Sequence, residues 1–309
     1  MDRTRAVEIT TNVERYRNYD VYYQDPTSER FVLYKPRGVD VDKIRVKMGM
    51  VPKRLYVSLN DQLDFVSSRH QEYNKRLKTI LKTEPLESKQ LLTRILDLAV
   101  SVPVGEVVPH MRATVDIVLR EYLADEAVVK RMVEVTLKDA STSVHSVNVM
   151  LHCLACSRQA GYGYDDLKSF GLMGLFHDIG KLEIPDSILK APRRLTADEF
   201  DLIKTHPKHG YNMLVQTKVE KRVRLGALQH HERCDGSGYP KKLEGKDLLA
   251  ESKILAIIDV YEALTNWRPY KDPVGSLNAL GIIKKDVVKG RLDEEMFQDF
   301  AMALVGMKL

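Results

Sequence analysis

Leu172-Met173-Gly174-Leu175-Phe176-His177-Asp178 carries an apolar helical run straight into a histidine and an aspartate. Farther along, Leu225-Gly226-Ala227-Leu228 leads in the same way to His230-His231, and Gly238-Tyr239-Pro240 follows. Such pairs are poor core material, because a buried imidazole or carboxylate needs a hydrogen-bond partner or a metal. Ligand types that sit on apolar helices and converge from distant positions predict a metal site inside a helical bundle.

Working outward, His145, His206 and Asp259 join His177, Asp178, His230 and His231 as candidate ligands. Asp259 lies in Ile257-Ile258-Asp259-Val260-Tyr261, where a lone carboxylate is costly without a cation. His206 opens His206-Pro207-Lys208-His209-Gly210, a helix-edge position that can lean into a bundle. Neighbouring residues on a helix point about 100° apart. His177 and Asp178 can therefore address two metals with Asp178 bridging, whereas His230 and His231 pair only if one reaches past the helix flank. His152 shares the helical face of His145 but, like His209, is expected to be an ordinary satisfied or solvated histidine. His70 and His110 receive no role.

The remainder of the chain bounds the setting. Its 309 residues suffice for two domains, and 44% hydrophobic with 29% charged residues describes a globular protein. No apolar run approaches the roughly 18 residues of a membrane span. Met1-Asp2-Arg3-Thr4-Arg5 is followed by no apolar stretch, so no secretory signal is expected and the location is predicted to be cytoplasmic. A net charge of +5 is dispersed and predicts no DNA binding. The basic group Lys43, Arg45, Lys47, Lys53 and Arg54 reads as a solvated face. Cys153 and Cys156 lack the second pair or strand-to-helix setting of a zinc or redox motif and read as plain buried thiols.

The predicted fold is mainly α: a C-terminal helical bundle preceded by a small mixed α/β-plus-helix domain. Phe31–Tyr34 and Leu55–Ser58 are predicted strands, flanking a short helix over Val41–Met48. Helices are predicted over Asp61–Lys82, from Pro85 through Ala99, and from Pro109 to Tyr122. The joint is placed at Leu123–Ala127, giving domains 1–125 and 126–309.

From about Val144 to Lys271 the chain resembles the HD-GYP phosphodiesterases of the HD superfamily. The resemblance rests on His145-Ser146, Leu175-Phe176-His177-Asp178-Ile179-Gly180-Lys181, Ile184-Pro185-Asp186, Leu195-Thr196 and His206-Pro207. It continues through His230-His231-Glu232, Asp235-Gly236-Ser237-Gly238-Tyr239-Pro240, Asp259-Val260-Tyr261-Glu262-Ala263-Leu264-Thr265 and Arg268-Pro269-Tyr270-Lys271. It implies an HD-type bundle holding two or three metals that cleaves cyclic di-GMP to linear pGpG and onward to GMP. A hydroxide shared by the metals would attack phosphorus in line. Imidazole and carboxylate ligands suit two divalent ions, iron first, with manganese, zinc or nickel as alternatives.

The same resemblance gives Asp178, Lys181 and Glu262 catalytic roles, and places Lys181, Arg268, Lys271 and Tyr239 on the substrate. Lys181 lies one turn beyond His177 if the helix continues. The Gly-Tyr-Pro loop or the N-terminal domain would offer a surface to a signalling protein.

The chain also departs from the family pattern. Ser141 stands where three-metal members carry a glutamate, which predicts two ions. Glu262 replaces the usual aspartate and is a candidate partner for Lys181. Ala191-Pro192-Arg193 replaces Lys-Pro-Gly, and Cys234 replaces a tryptophan. The alternative to an active enzyme is a slow or silent module that binds a cyclic dinucleotide or a signalling partner. A phosphohydrolase for other nucleotides is disfavoured by the Gly-Tyr-Pro segment.

Overall fold

The computed structural model describes residues 6–9, 13–40, 44, 52, 54–135, 137, 141–191, 193–267 and 272–308. These belong to two compact units, Met1–Glu72 and Tyr73–Leu309. The predicted helix over Val41–Met48, apart from Ile44, and the basic group except Arg54 lie outside the described residues.

The first unit is built on an antiparallel sheet of β1 (Ala6–Ile9), β2 (Val21–Gln24), β3 (Phe31–Lys35) and β4 (Leu55–Ser58), in the order β1-β4-β2-β3. In β4, Leu55 and Val57 are buried while Tyr56 and Ser58 are half-buried, the period-two pattern of a sheet with one face covered. β1 and β2 escape prediction because each is four residues long with no clean alternation. Tyr16 stacks on Phe65 with ring centroids 4.5 Å apart, and its hydroxyl donates to Gln62 Oε1 at 2.9 Å.

The division between the units falls inside α1 (Leu59–Ile80). The second unit continues with α2 (Pro85–Ala99), α3 (Val104–Ala124), α4 (Ala127–Glu134), α5 (Thr142–Gln159) and α6 (Tyr164–Phe176). Then come α7 (Asp186–Leu189), α8 (Ala197–Ile203), α9 (His206–Val215), α10 (Lys221–Gln229), α11 (Ala250–Thr265), α12 (Ser276–Val288) and α13 (Glu294–Lys308). α3 begins at Val104 and carries Pro109 within it, so the predicted start at Pro109 is too late. Among the described residues no helix is long and apolar enough to cross a membrane.

α5 is the central helix. Every residue from Ser143 to Ser157 is buried, and a helix buried all round must be covered on all sides. It meets α2, α4, α6, α11 and α13, while α6 meets α3 and α10. The joint expected at Leu123–Ala127 is therefore a turn between α3 and α4 inside the second unit. The apolar faces of α2 to α4 are spent on covering α5 and α6, which is why these helices belong with the bundle.

Close packing of α5 on α6 depends on Gly174, where an added Cβ would lie 2.5 Å from Met150 Cα and 2.6 Å from its nitrogen. Backbone cannot retreat as a side-chain tip can. Gly174→Ala is expected to destabilise the protein by about 3 kcal/mol. Gly105→Ala, in α3 with no atom within 4 Å of the new Cβ, should be neutral or gain about 0.5 kcal/mol. Paired denaturant titrations compare the two; equal midpoints would contradict the backbone contact.

Candidate metal centre

Five of the seven candidate ligands, His177, Asp178, His206, His230 and His231, sit at helix ends. α6 ends at Phe176, His177 caps it with its N–H on Met173 O at 2.9 Å, and the chain then enters a 3-10 turn at Ile179–Glu183. The helix therefore does not continue to Lys181 as expected. The turn itself brings Lys181 Nζ to 2.5 Å from Asp178 Oδ2. Gly180 permits this: a Cβ there would fall 2.0 Å from His206 O and 2.4 Å from Gly210 N, at the start of α9. His230 caps α10, and His231 follows in the turn, free of the helix and so able to reach past its flank. α5 supplies His145 and α11 supplies Asp259.

These side chains form two groups, Asp178 with His206, His230 and His231, and His145 with His177 and Asp259; within each, one ligand atom per residue lies within 4.8 Å of the others. Asp178 stands between the groups. Its Oδ1 is 3.1 Å from His206 Nε2 and 3.7 Å from His230 Nε2, while Oδ2 is 3.5 Å from His145 Nε2 and 3.4 Å from His177 Nε2. Asp259 also faces both, with Oδ1 3.1 Å from His145 Nε2 and Oδ2 3.7 Å from His231 Nδ1.

The hydrogen bonds on the far side of the rings set the chemistry. His177 Nδ1 donates to Gly174 O (2.8 Å), His206 Nδ1 to Ile203 O (2.6 Å), His230 Nδ1 to Ala227 O (3.0 Å) and His145 Nδ1 to Glu262 Oε2. A neutral imidazole with its hydrogen on Nδ1 presents a lone pair at Nε2. Yet Nε2 of His145 and His177 are 3.0 Å apart, and those of His206 and His230 3.2 Å. Facing lone pairs repel unless positive charge stands beside them. Buried Asp178 Oδ1, moreover, has no hydrogen-bond donor. The donor set fits divalent cations.

Electrostatics agree. Burial lowers the His230 imidazole to about 4 and holds His231 well below the usual histidine range, leaving neutral ligands. Burial works the same way on His145, but the Glu262 and Asp259 carboxylates outweigh it and raise that ring to about 10. Burial would raise the two aspartates, yet Lys181 and His177 hold Asp178, and His145 and His231 hold Asp259, well below the carboxylate range. The cavity selects for positive charge.

Three supporting residues were not singled out from sequence. Glu262 turns to His145 rather than to Lys181, and its Oε1 accepts from Asn148 Nδ2 at 2.8 Å and Asn266 Nδ2 at 2.6 Å. Asn148 and Asn266 stand at i+3 and i+4 from His145 and Glu262, a spacing that was readable. Glu232 is 1% exposed and accepts Lys241 N at 2.6 Å and Leu243 N at 3.1 Å, pinning the Gly-Tyr-Pro loop behind His231. The ring of Tyr239 lies on His231 with centroids 4.8 Å apart. Gly238 allows the fit, since its Cβ would lie 2.4 Å from Glu232 Cα. His152 is buried with Nδ1 unpartnered, not satisfied as expected. Arg268 and Lys271 lie outside the described residues.

Known proteins resemble this arrangement. "Cyclic di-GMP phosphodiesterase PA4108" of Pseudomonas aeruginosa is 35% identical over 197 residues, 63% of this chain and 47% of that protein. "3'3'-cGAMP-specific phosphodiesterase 1" of Vibrio cholerae is 37% identical over 163 residues, 53% of this chain and 38% of its own length. The chain thus spans less than half the length of these relatives. Bd1817, an HDG"Y"P protein from Bdellovibrio bacteriovorus, shares the fold with a TM-score of 0.61 at 18% identity, covering 97% of this chain and 99% of that one. The HD domain model matches residues 128–296, more than half of the sequence. The chain belongs to the HD domain family, and Gly238-Tyr239-Pro240 is the segment that carries its resemblance to the HD-GYP type.

Proposed function

We propose that this protein is a metal-dependent phosphodiesterase of the cytoplasm that hydrolyses a cyclic dinucleotide, cyclic di-GMP in the first instance, to the linear pGpG and onward to GMP. The observation that carries this reading is the placement of Asp178, whose two oxygens face separate sets of imidazoles. Relatives named for cyclic di-GMP and for 3'3'-cGAMP support a cyclic dinucleotide as the substrate class.

In this reading His145, His177 and Asp259 would hold one divalent ion and His206, His230 and His231 the other, with Asp178 as a ligand available to both. Bound ions of this kind supply Lewis acidity and a water ionised near neutral pH. The chain's own residues do the rest. Glu262 is a positioning residue that orients His145. Lys181, one quarter exposed beside Asp178, neutralises charge on the phosphate, and Arg268 and Lys271 bind it too. Tyr239 backs His231 and closes one wall.

A cavity of about 270 Å³ opens beside Asp178 and Lys181, walled by Leu96, Val100, Leu175 and Ile179 with the hydroxyls of Thr142 and Ser146 on its lining. Apolar walls with a few hydroxyls suit a nucleobase next to a phosphate site. Ser141, where a third-ion carboxylate would stand, instead caps α5, its oxygen accepting Val144 N at 3.2 Å.

Purified protein is expected to contain two divalent ions per chain and to lose hydrolysis on chelation. Asp178→Ala should lose at least one ion and all turnover while staying folded. Elemental analysis with product chromatography checks both, and three fully occupied ions, or Asp178→Ala with wild-type ions and turnover, would overturn the assignment. A chain that binds both ions and cyclic di-GMP without turnover would be the binding module instead.

Lys181→Ala is expected to lower kcat by about 10²-fold with both ions kept, read from steady-state kinetics beside metal content; unchanged kinetics would remove Lys181 from the phosphate. Val100→Trp, which fills the cavity, should raise KM for cyclic di-GMP at least tenfold and leave hydrolysis of bis(p-nitrophenyl) phosphate, which has no nucleobase, within about twofold. Equal losses on both substrates would dismiss the base pocket.

A further inference from the structure

Glu262 faces a second cavity as well as the metal centre. This smaller space, about 50 Å³, is mostly polar and is lined among others by Lys89, Val135, Asn148, His152, Glu262 and Asn266. Lys89 comes from α2, ahead of the residues matched by the HD domain. It is 3% exposed, and Val135 O is its one hydrogen-bond acceptor among the described residues. An ammonium has three donors. The other buried lysine among the described residues shows what full satisfaction looks like: Lys35 Nζ donates to Arg17 O, Tyr19 O and Pro36 O at 3.0, 2.9 and 3.1 Å.

Two further atoms on the same lining are buried without partners, Asn148 Oδ1 and His152 Nδ1. Buried polar groups in native proteins are paired with protein or with ordered water, and the cavity has room for about two waters. Water there would take N–H groups from Lys89 and give hydrogens to Asn148 Oδ1. Asn148 in turn donates to Glu262. Charge runs along the same line. Burial lowers the Lys89 ammonium to about 8, and the carboxylate of Glu262 is what opposes that fall.

His145 explains why such support is needed. The other three Nδ1 donors rest on backbone carbonyls that are fixed by their helices. His145 rests on a side chain, and a carboxylate 1% exposed needs its charge balanced and its rotamer held.

We propose that Lys89 is a positioning residue of the metal centre: through its charge and through water in this cavity it holds Glu262 against His145, and so secures the ion on the His145, His177 and Asp259 side. The proposal rests on the two-ion reading of the site, and its test reads metal rather than turnover. Lys89→Met keeps the length and apolar stem while removing the charge and the donors. With Mn²⁺ as the probe, wild-type chain should bind two ions and Lys89→Met about one, the affinity of the lost ion falling about 10–100-fold. Anomalous scattering from crystals of the variant should place the remaining ion on the His206, His230 and His231 side. Two ions at wild-type affinity would overturn the proposal, and so would parallel loss of both, which is what a merely structural lysine would cause. Should Lys89→Met not fold, Lys89→Gln, which retains a donor for Val135 O, is taken through the same titration with the same expected result. Wild-type chain that binds no Mn²⁺ would instead refute the two-ion reading itself.

Discussion

The Nε2 lone pairs of four imidazoles are aimed inward by what their Nδ1 hydrogens hold outside, and the rest of the site is arranged around that requirement. The last carbonyls of an α-helix have no partner within the helix. Gly174 O near the end of α6, Ile203 O at the end of α8 and Ala227 O near the end of α10 are such carbonyls, and each accepts from a ligand histidine. One hydrogen bond thus satisfies a helix terminus and selects a tautomer. Three helix C-termini gathered at one place also bring the negative ends of their dipoles, which favours cations. The His-Asp and His-His pairs stand at helix ends because the mechanism of orientation needs helix ends.

Of these four imidazoles, His145 is the one this device cannot serve. It lies within the first turns of α5, far from that helix's C-terminus, so a carboxylate from α11 takes the place of a backbone acceptor. A carboxylate is the stronger acceptor, but it arrives on a rotatable side chain that is itself buried. That difference concentrates polar residues around Glu262: Asn148, Asn266 and the cavity shared with Lys89. In a helix-end ligand the backbone does the holding, whereas here side chains from α2, α5 and α11 do it.

Much of the centre was legible because polar residues in apolar helices stand out. His145, His177, Asp178, His206, His230, His231 and Asp259 could be chosen on that contrast, and the structure brings them together. Helical geometry lets His177 and Asp178 point to different groups, and the chain places Asp178 between the two by leaving the helix after His177. What could not be read was which elements face each other. Glu262 and Lys181 lie on segments whose separation sequence does not encode, so the expected pair does not form, and Asp178 holds Lys181 instead. Helices α2 and α3 carry no chemical motif, and the sequence therefore places them with the N-terminal module. Motifs mark chemistry; burial demand decides where a helix packs, and α5 demands cover on every side.

That demand ties the fold to the chemistry. Within α5, His145, Asn148 and His152 recur at i, i+3 and i+7, a polar stripe along one face of a helix with no exposed side. A buried polar stripe is tolerable only if polar groups lie across from it. Across from His145 stand the two aspartates and Glu262; across from Asn148 stands Glu262 again; beside His152 the cavity opens onto Lys89. Each step along the stripe moves about one turn away from the His and Asp cluster, and Asn148 and His152 line the cavity that Lys89 of α2 also lines. The helix that covers α5 therefore cannot be apolar throughout, and a lysine in α2 at the far end of that stripe is the residue type that balances the carboxylate lying between them.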